Sequence, residues 1–290
     1  MTFTQFAANR GTNCWKQFAA LFKRNWQYLV RNPRSFNGIV FNGIFTGLLT
    51  LALFIHIGRY TPDMIDPGNY QFIGYVYNLS GLGFMLANNI SFSSSNSVII
   101  EMPLMVPVFK RELANKMYTP STYYFGKFFS HMILQLAYPF TFVLCVFWGL
   151  SISEKVTNFF MFVIYAGLLN LTMNAQGYFC GCMSDDEETA KQINTFMILL
   201  MMLTSGGLGN VKAFPDWITG LSYLSPQRYA CQGFFYRLIQ HVPEPAQSQM
   251  KETIGYTSYG DAACISALCA CFMFFTIGGW LIINYRNRNK

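Results

Sequence analysis

Residues 108–126 read VFKRELANKMYTPSTYYFG, a charged and aromatic-rich stretch that lies between two long apolar runs. It contains Lys110, Arg111 and Glu112, and after Pro120 a Ser-Thr-Tyr-Tyr run leads into the next apolar segment. Charged side chains are costly inside a bilayer, so a stretch of this kind marks a membrane surface between two spans. Its length and polarity indicate that this elbow has a function of its own.

The composition of the whole chain is that of a polytopic membrane protein. Of its 290 residues, 52% are hydrophobic and only 11% are charged, whereas soluble domains usually carry about 25% charged residues. The net charge is +7. In a chain this apolar, a basic excess indicates basic loops on the cytoplasmic side of a membrane and not nucleic-acid binding.

Six segments approach the length of about 20 apolar residues that a membrane-spanning helix needs. The second is interrupted by polar residues and the fifth is short. Most of the 20 Lys and Arg residues lie before the first segment, after the last, or in alternate loops. This distribution places both termini on the cytoplasmic, matrix or stromal side of a plasma or organelle membrane. The predicted spans are 36–57, 72–98, 128–150, 159–183, 193–208 and 262–285.

The sequence offers no set of catalytic or metal-binding residues. His56, His131 and His241 are far apart, and the 8 Cys residues form no CxxC pair. These His and Cys residues therefore predict no metal site. There is also no GxxxxGK(S/T) phosphate loop, so we expect this chain not to bind ATP. The N-terminus lacks the apolar core of a signal peptide, while its basic and acid-poor character leaves mitochondrial targeting open.

Residues 15–26 have the pattern of an amphipathic helix at a membrane surface. Lys16, Lys23 and Arg24 alternate with apolar side chains at helical spacing. On pattern alone, a generic membrane anchor is as good an interpretation as a functional element. The apolar positions are Trp15, Phe18, Leu21, Phe22 and Trp26.

A cluster of Asn and Ser side chains occupies residues 88–97, at the end of the second predicted span. Polar groups at membrane depth must be satisfied by protein or by water. The cluster therefore either makes hydrogen bonds between helices or lines a cavity, and the pattern leaves both interpretations open. Asn170, Asn174 and Gln176 of the fourth predicted span should likewise face protein and not lipid.

Two stretches carry a resemblance to a known family. The elbow and residues 225–229, Ser-Pro-Gln-Arg-Tyr, resemble the ABC-2 type membrane domain of G-subfamily ABC transporters, which include the pleiotropic drug resistance and white types. The resemblance implies an all-α polytopic membrane protein with six transmembrane helices. It further implies an amphipathic connecting helix in residues 1–34 and a six-helix domain at 35–290, with a cytoplasmic coupling helix near 111–119 and a re-entrant external segment.

The resemblance also assigns roles to individual residues. Glu112 is expected to pair with Lys23 or Arg24 of the connecting helix. Leu208 is expected to form the outer gate, although one of the family's two adjacent gate Leu residues is replaced by Gly. The predicted substrate cavity holds Asn89, Phe92, Thr195, Leu199 and Met202; the coupling set is Lys23, Arg24, Arg111, Glu112 and Tyr118; and the re-entrant segment contributes Pro226 and Arg228, a buried charge that requires a partner.

The family implies a function in export. We expect the chain to be the membrane-spanning subunit of an exporter for a lipid, a sterol or another flat hydrophobic molecule, working as a homo- or heterodimer. It should bind no cofactor itself, since ATP and Mg²⁺ are expected on a partner ABC ATPase domain. Because the sequence contains no ATPase motif, the alternative is a relic without a motor that serves as a structural subunit of a larger membrane assembly.

Overall fold

The computed structural model describes residues 14–31, 33–55, 70–99, 101–115, 118–150, 156–207, 215–242, 246–256 and 260–288, and within these ranges all regular structure is helical. The first six helices are α1 (Cys14–Arg31), α2 (Pro33–Phe54), α3 (Tyr70–Ile99), α4 (Glu101–Ala114), α5 (Pro120–Gln135) and α6 (Ala137–Gly149). They are followed by α7 (Val156–Met183), α8 (Glu187–Leu203), α9 (Asp216–Ser222), α10 (Pro226–Leu238), α11 (Ala246–Ile254) and α12 (Asp261–Arg288). The helical fold class predicted from the sequence is confirmed.

In the part of the chain that the structure describes, four helical stretches are long and apolar enough to cross a membrane: 36–54, 120–149, 156–183 and 261–286. They correspond to the first, third, fourth and sixth predicted spans. The second and fifth predicted spans are helical too, as α3 and α8. However, α8 has only 17 residues and opens with Glu187 and Glu188, and α3 carries the Asn and Ser cluster. The count of six spans therefore stays a prediction.

The third predicted span consists of two helices, because proline interrupts the hydrogen-bond ladder. α5 and α6 meet at Leu136, three residues before Pro139. Pro139 has no N–H to donate to the carbonyl of Gln135, and its ring crowds that carbonyl. The predicted start at residue 128 is too late, since Pro120 begins α5 and Thr119 caps it by accepting from the backbone N–H of Thr122 at 3.3 Å.

The helix predicted near 111–119 lies earlier in the chain. α4 runs from Glu101 to Ala114 and ends before Thr119. A residue that precedes proline disfavours the α conformation, so no helix continues through Thr119 into Pro120. The backbone of Thr119 is accordingly extended, with φ −87° and ψ 152°. The elbow thus holds the end of α4 and the start of α5.

α7 is the central helix of the molecule. It packs against α3, α6, α8, α10 and α12, and its buried face contains amide as well as apolar side chains. α1 lies along α5, where Leu21 is buried next to Gly126. α2 packs along α6 and has little contact with α3. This arrangement leaves a space between α2 and α3.

The close approach of α7 to α3 depends on Gly177. A Cβ atom at this position would lie 2.6 Å from Val98 Cγ2 and 2.8 Å from the backbone oxygen of Ser95. Glycine permits such contacts between helices in membranes, where packing and hydrogen bonds replace the hydrophobic effect as the force of association. Gly177 therefore sets the distance across which α3 and α7 exchange hydrogen bonds.

We expect Gly177→Ala to destabilise the protein by about 1–3 kcal/mol, because the backbone of α3 must move to admit the methyl group. Thermal unfolding of the detergent-purified protein measures the change. The matched control is Gly167→Ala on the same helix, where the one atom of the described residues within 4 Å of the new methyl group is Leu136 Cδ2, at 3.9 Å. Equal stability of the two variants would contradict the close approach.

Candidate functional site

A groove of about 590 Å³ lies between α2, α3 and the junction of α5 and α6. Eight of its eleven lining residues carry polar side chains, and three of these, Asn42, Asn96 and Ser97, are exposed. Polar side chains facing outward at membrane depth need a polar partner from protein, water or a ligand. The lining residues are Gly38, Ile39, Asn42, Thr46, Asn89, Phe92, Ser93, Asn96, Ser97, Gln135 and Tyr138.

Hydrogen bonds hold the wall of this groove. The Asn42 side-chain amide donates to Ser93 Oγ at 2.8 Å, which joins α2 to α3. The Tyr138 hydroxyl donates to the backbone oxygen of Asn89 at 3.3 Å and lies 3.2 Å from the Thr46 hydroxyl. These contacts place amide and hydroxyl groups beside the half-buried ring of Phe92. The groove can therefore contact the apolar body of a ligand with the Phe92 ring and the polar head of that ligand with its amide groups.

The structure brings some of the predicted cavity residues together and leaves others apart. Asn89 and Phe92 both line the groove. Thr195 and Leu199 lie on the exposed face of α8, outside it. Met202 is half-buried and accepts from the side-chain amide of Asn88 at 3.1 Å. Within one chain the predicted residues thus form two surfaces, one on each side of α3.

The Asn and Ser cluster of α3 makes hydrogen bonds between helices on one face and lines the groove on another. Ser94 and Ser95 are buried. Ser95 Oγ lies 2.8 Å from Gln176 Oε1 and 2.6 Å from Asn194 Oδ1, and the Asn170 amide donates to Ser94 Oγ at 2.6 Å. This face makes interhelical hydrogen bonds. The neighbouring face, with Ser93, lines the groove.

At the elbow, the partner of Glu112 is Arg24. Arg24 Nη1 lies 3.1 Å from Glu112 Oε1, whereas Lys23 and Arg111 are exposed. Glu112 also accepts a hydrogen bond from the Tyr118 hydroxyl. Burial raises the pKa of Tyr118, and the hydrogen bond to Glu112 raises it further, so the phenol stays protonated as a donor. The pair joins α1 to α4, and it is one of the two pairings that the family resemblance implied.

A second charged cluster, at the same end of the molecule as Glu112, was not predicted from the sequence. Asp185, in the turn between α7 and α8, contacts both Lys110 of α4 and Arg286 of α12. The acidic run at 185–188 signalled a charged turn. Its partners lie 75 and 101 positions away in the chain, where no local pattern connects them.

In the predicted re-entrant segment, Pro226 begins α10 and Arg228 is buried with 1% of its surface exposed. The guanidinium donates to the Ser222 hydroxyl and lies 4.3 Å from the centre of the Tyr223 ring. The partners of the Arg228 charge, which the sequence analysis required, are therefore the Ser222 hydroxyl and the face of the Tyr223 ring. The Ser225 hydroxyl donates to the backbone oxygen of Met201 at 2.9 Å, which ties the segment to the end of α8.

The predicted outer-gate residue Leu208 lies outside the described residues. The adjacent Gly207 packs directly on α3, since a Cβ atom here would lie 2.2 Å from Phe84 Cδ2 and 2.6 Å from Phe84 Cβ. Phe84 therefore occupies the space into which a larger side chain at position 207 would project.

We expect Gly207→Ala to destabilise the protein by about 1–3 kcal/mol through overpacking. The double variant Phe84→Gly, Gly207→Ala should lose less than the sum of the two single changes, because removing the whole Phe84 side chain, its Cβ atom included, makes room for the methyl group. Thermal unfolding of all three variants gives this comparison. Gly81→Ala on α3 is the control, since its new methyl group has no atom within 4 Å among the described residues. Additive losses would contradict the contact.

In the described residues, His, Cys, Asp and Glu form no group of three suited to a metal ion. The family of the chain is shown by its helical membrane domain, which matches a known family model. The family model of the ABC-2 type transporter matches residues 16–239, which is more than half of the 290 residues.

The proteins that are similar to this chain include the three that follow. Protein white of Ceratitis capitata is 28% identical over 158 residues, 54% of this chain and 23% of that protein. The broad substrate specificity ATP-binding cassette transporter ABCG2 of Bos taurus is 25% identical over 234 residues, 79% of this chain and 32% of that protein. ABC transporter G family member 1 of Dictyostelium discoideum is 20% identical over 306 residues, 99% of this chain and 37% of that protein.

The chain thus spans well under half the length of each of these relatives. Its match to the family model nevertheless covers α1 through α10, the elbow and the groove included. Together, these similarities show that the chain belongs to the ABC-2 type transporter family, as a membrane domain of the G subfamily.

Proposed function

We propose that this chain is the membrane-spanning subunit of an exporter for a lipid, a sterol or another flat hydrophobic molecule. The groove beside Asn89 and Phe92 is the observation that carries the proposal. It combines an aromatic ring with several amide and hydroxyl groups, which suits an amphipathic molecule with a flat apolar body and a small polar head.

The proposed topology has six spans, with both termini on the cytoplasmic side. In this topology α3 and α8 are the second and fifth spans, and their polar residues face protein or a water-accessible cavity. The helix break between α9 and α10, with Pro226 at the start of α10, is the external re-entrant segment. The elbow then lies on the cytoplasmic side, within reach of an ATPase domain.

Two copies of the membrane domain, identical or related, complete the proposed transport path. The exposed face of α8 supports this step, since Phe196, Leu199 and Leu203 are 65%, 41% and 60% exposed. A second subunit facing α8 would enclose Thr195, Leu199 and Met202 between the two copies, next to α3. Alternating access would move a bound molecule from the groove into this shared cavity.

ATP drives the proposed cycle through the elbow. The ATPase domain, with its ATP and Mg²⁺, is supplied by another chain or by a segment outside this sequence. It presses on α4, and the Arg24–Glu112 pair transmits the displacement to α1, which lies along α5. Mild-detergent purification followed by mass spectrometry tests this proposal: a stoichiometric ABC ATPase supports it, and a large assembly without one makes the chain a structural subunit.

We expect Phe92→Ala to lower ATP-dependent uptake of a fluorescent sterol or phospholipid analogue into reconstituted inside-out vesicles about tenfold, since an aromatic contact worth about 1.4 kcal/mol is lost. The control is Phe41→Ala, which truncates a ring on α2 that is 69% exposed and outside the groove. Unchanged uptake by the Phe92 variant would exclude the groove as the substrate site.

We expect Glu112→Gln to reduce transport at least about fivefold while ATP hydrolysis continues, because Arg24 loses its charged partner and α1 no longer follows α4. The ratio of molecules transported to ATP hydrolysed is the measurement. Glu188→Gln, at an exposed position on α8, serves as the control. A normal ratio in the Glu112 variant would refute the role of the pair in coupling.

A further inference from the structure

A second ionic contact holds α4, on the side away from α1. Lys110 Nζ lies 3.3 Å from Asp185 Oδ2, and Arg286 donates to Asp185 Oδ1. One oxygen of the carboxylate thus binds α4 and the other binds α12. Asp185 itself belongs to the turn between α7 and α8, so this single side chain connects four helices.

Helix geometry explains why Lys110 and Glu112 reach different neighbours. Side chains two positions apart on an α-helix are separated by about 200° around its axis. Glu112 contacts Arg24 of α1, whereas Lys110 contacts Asp185 in the α7–α8 turn. The last turn of α4 is therefore held from two sides by two separate parts of the molecule.

Asp185 is tightly connected to the ends of α7 and α8. Arg286 also donates to the backbone oxygen of Cys182 in the last turn of α7, a position where the helix dipole favours a cation. The next residue, Asp186, caps α8 by accepting from the backbone N–H of Thr189 at 3.1 Å. A displacement of Asp185 therefore reaches the first turn of α8 directly.

The cluster is charged at neutral pH and contributes little to stability. Partial burial raises the pKa of Asp185, but Arg286 and then Lys110 outweigh it and lower the pKa below its ordinary value. The Lys110 and Asp185 side chains are 46% and 43% exposed, and ion pairs this exposed add little to the free energy of folding. Loss of this contact should therefore leave the helices folded.

We infer that Asp185 is a positioning residue that transmits displacement of α4 to α8, in parallel with the Glu112 contact that transmits it to α1. A displacement of α4 is then transmitted along two paths. One passes through Arg24 into α1 and α5. The other passes through Asp185 into α8, which carries Thr195, Leu199 and Met202. The inference rests on the proposed function, in which an ATPase domain produces that displacement.

Hydrogen–deuterium exchange on the assembly, purified with its ATPase, separates the two paths. It compares the exchange of α1 and of residues 187–195 with and without a non-hydrolysable ATP analogue and Mg²⁺. In Asp185→Asn we expect the nucleotide response of 187–195 to fall about fivefold or more while the response of α1 persists. Glu112→Gln should give the opposite pattern, and Asp185→Glu should restore the response of α8.

The control is Glu187→Gln, which breaks a 2.6 Å pair with Lys191 inside α8 and leaves the contact with α4 intact; it should respond like the wild type. Asp185→Asn should also move the unfolding temperature by only about 3 °C or less. A wild-type response of α8 in Asp185→Asn, or equal loss at both helices, overturns the inference. An assembly without an ATPase overturns the proposed function as well, which distinguishes the two failures.

Discussion

Hydrogen bonds among the side chains of α3, α7 and α8 determine how these helices face one another. Apolar side chains gain little by meeting each other in lipid, so polar contacts and close packing select the arrangement. Ser94, Ser95, Asn170 and Asn194 are all buried, and they make contacts of 2.6–2.8 Å. A small rotation of α3 would leave these groups without partners, at a cost of several kcal/mol for each.

The orientation of α3 in turn decides what its other face presents. Because Ser94 and Ser95 point toward α7 and α8, Asn89, Phe92 and Ser93 are directed toward α2 and the groove. The groove stays open because α2 packs along α6 and has little contact with α3. A polar cluster that satisfies the helix bundle on one side thereby supplies a binding surface on the other.

Charge plays the corresponding part at the end of the molecule that holds the elbow. α4 is short, and its last turn is held by ionic contacts to α1 and to the α7–α8 turn. Such exposed pairs add little stability, but they connect α4 to helices that carry the groove and the exposed face of α8. A more buried ion pair lies elsewhere in the bundle, where Arg237 pairs with Asp261, and Asp261 also accepts a hydrogen bond from the Tyr165 hydroxyl at 2.9 Å. There a desolvated charge joins α7, α10 and α12.

Several features of the fold and of the site were predictable from local sequence. Apolar runs and a low charge content identified a helical membrane protein, since only a few structures satisfy the backbone in lipid. The spacing of aromatic and basic residues located α1, and the elbow pointed to the family. The family resemblance, and not the local pattern, narrowed the partner of Glu112 to Lys23 or Arg24. Two boundary errors arose at prolines, since Pro120 begins α5 earlier than predicted and Pro139 separates α5 from α6.

The sequence by itself determined which segments are helical and which of their side chains are polar, because helical periodicity and hydropathy act over a few turns. Only the tertiary structure decided which neighbour each polar face meets. It selected Arg24 for Glu112, the Ser222 hydroxyl and the Tyr223 ring for Arg228, and Lys110 with Arg286 for Asp185. These partners come from helices that are mostly distant in the chain, and their meeting depends on the packing of the whole bundle.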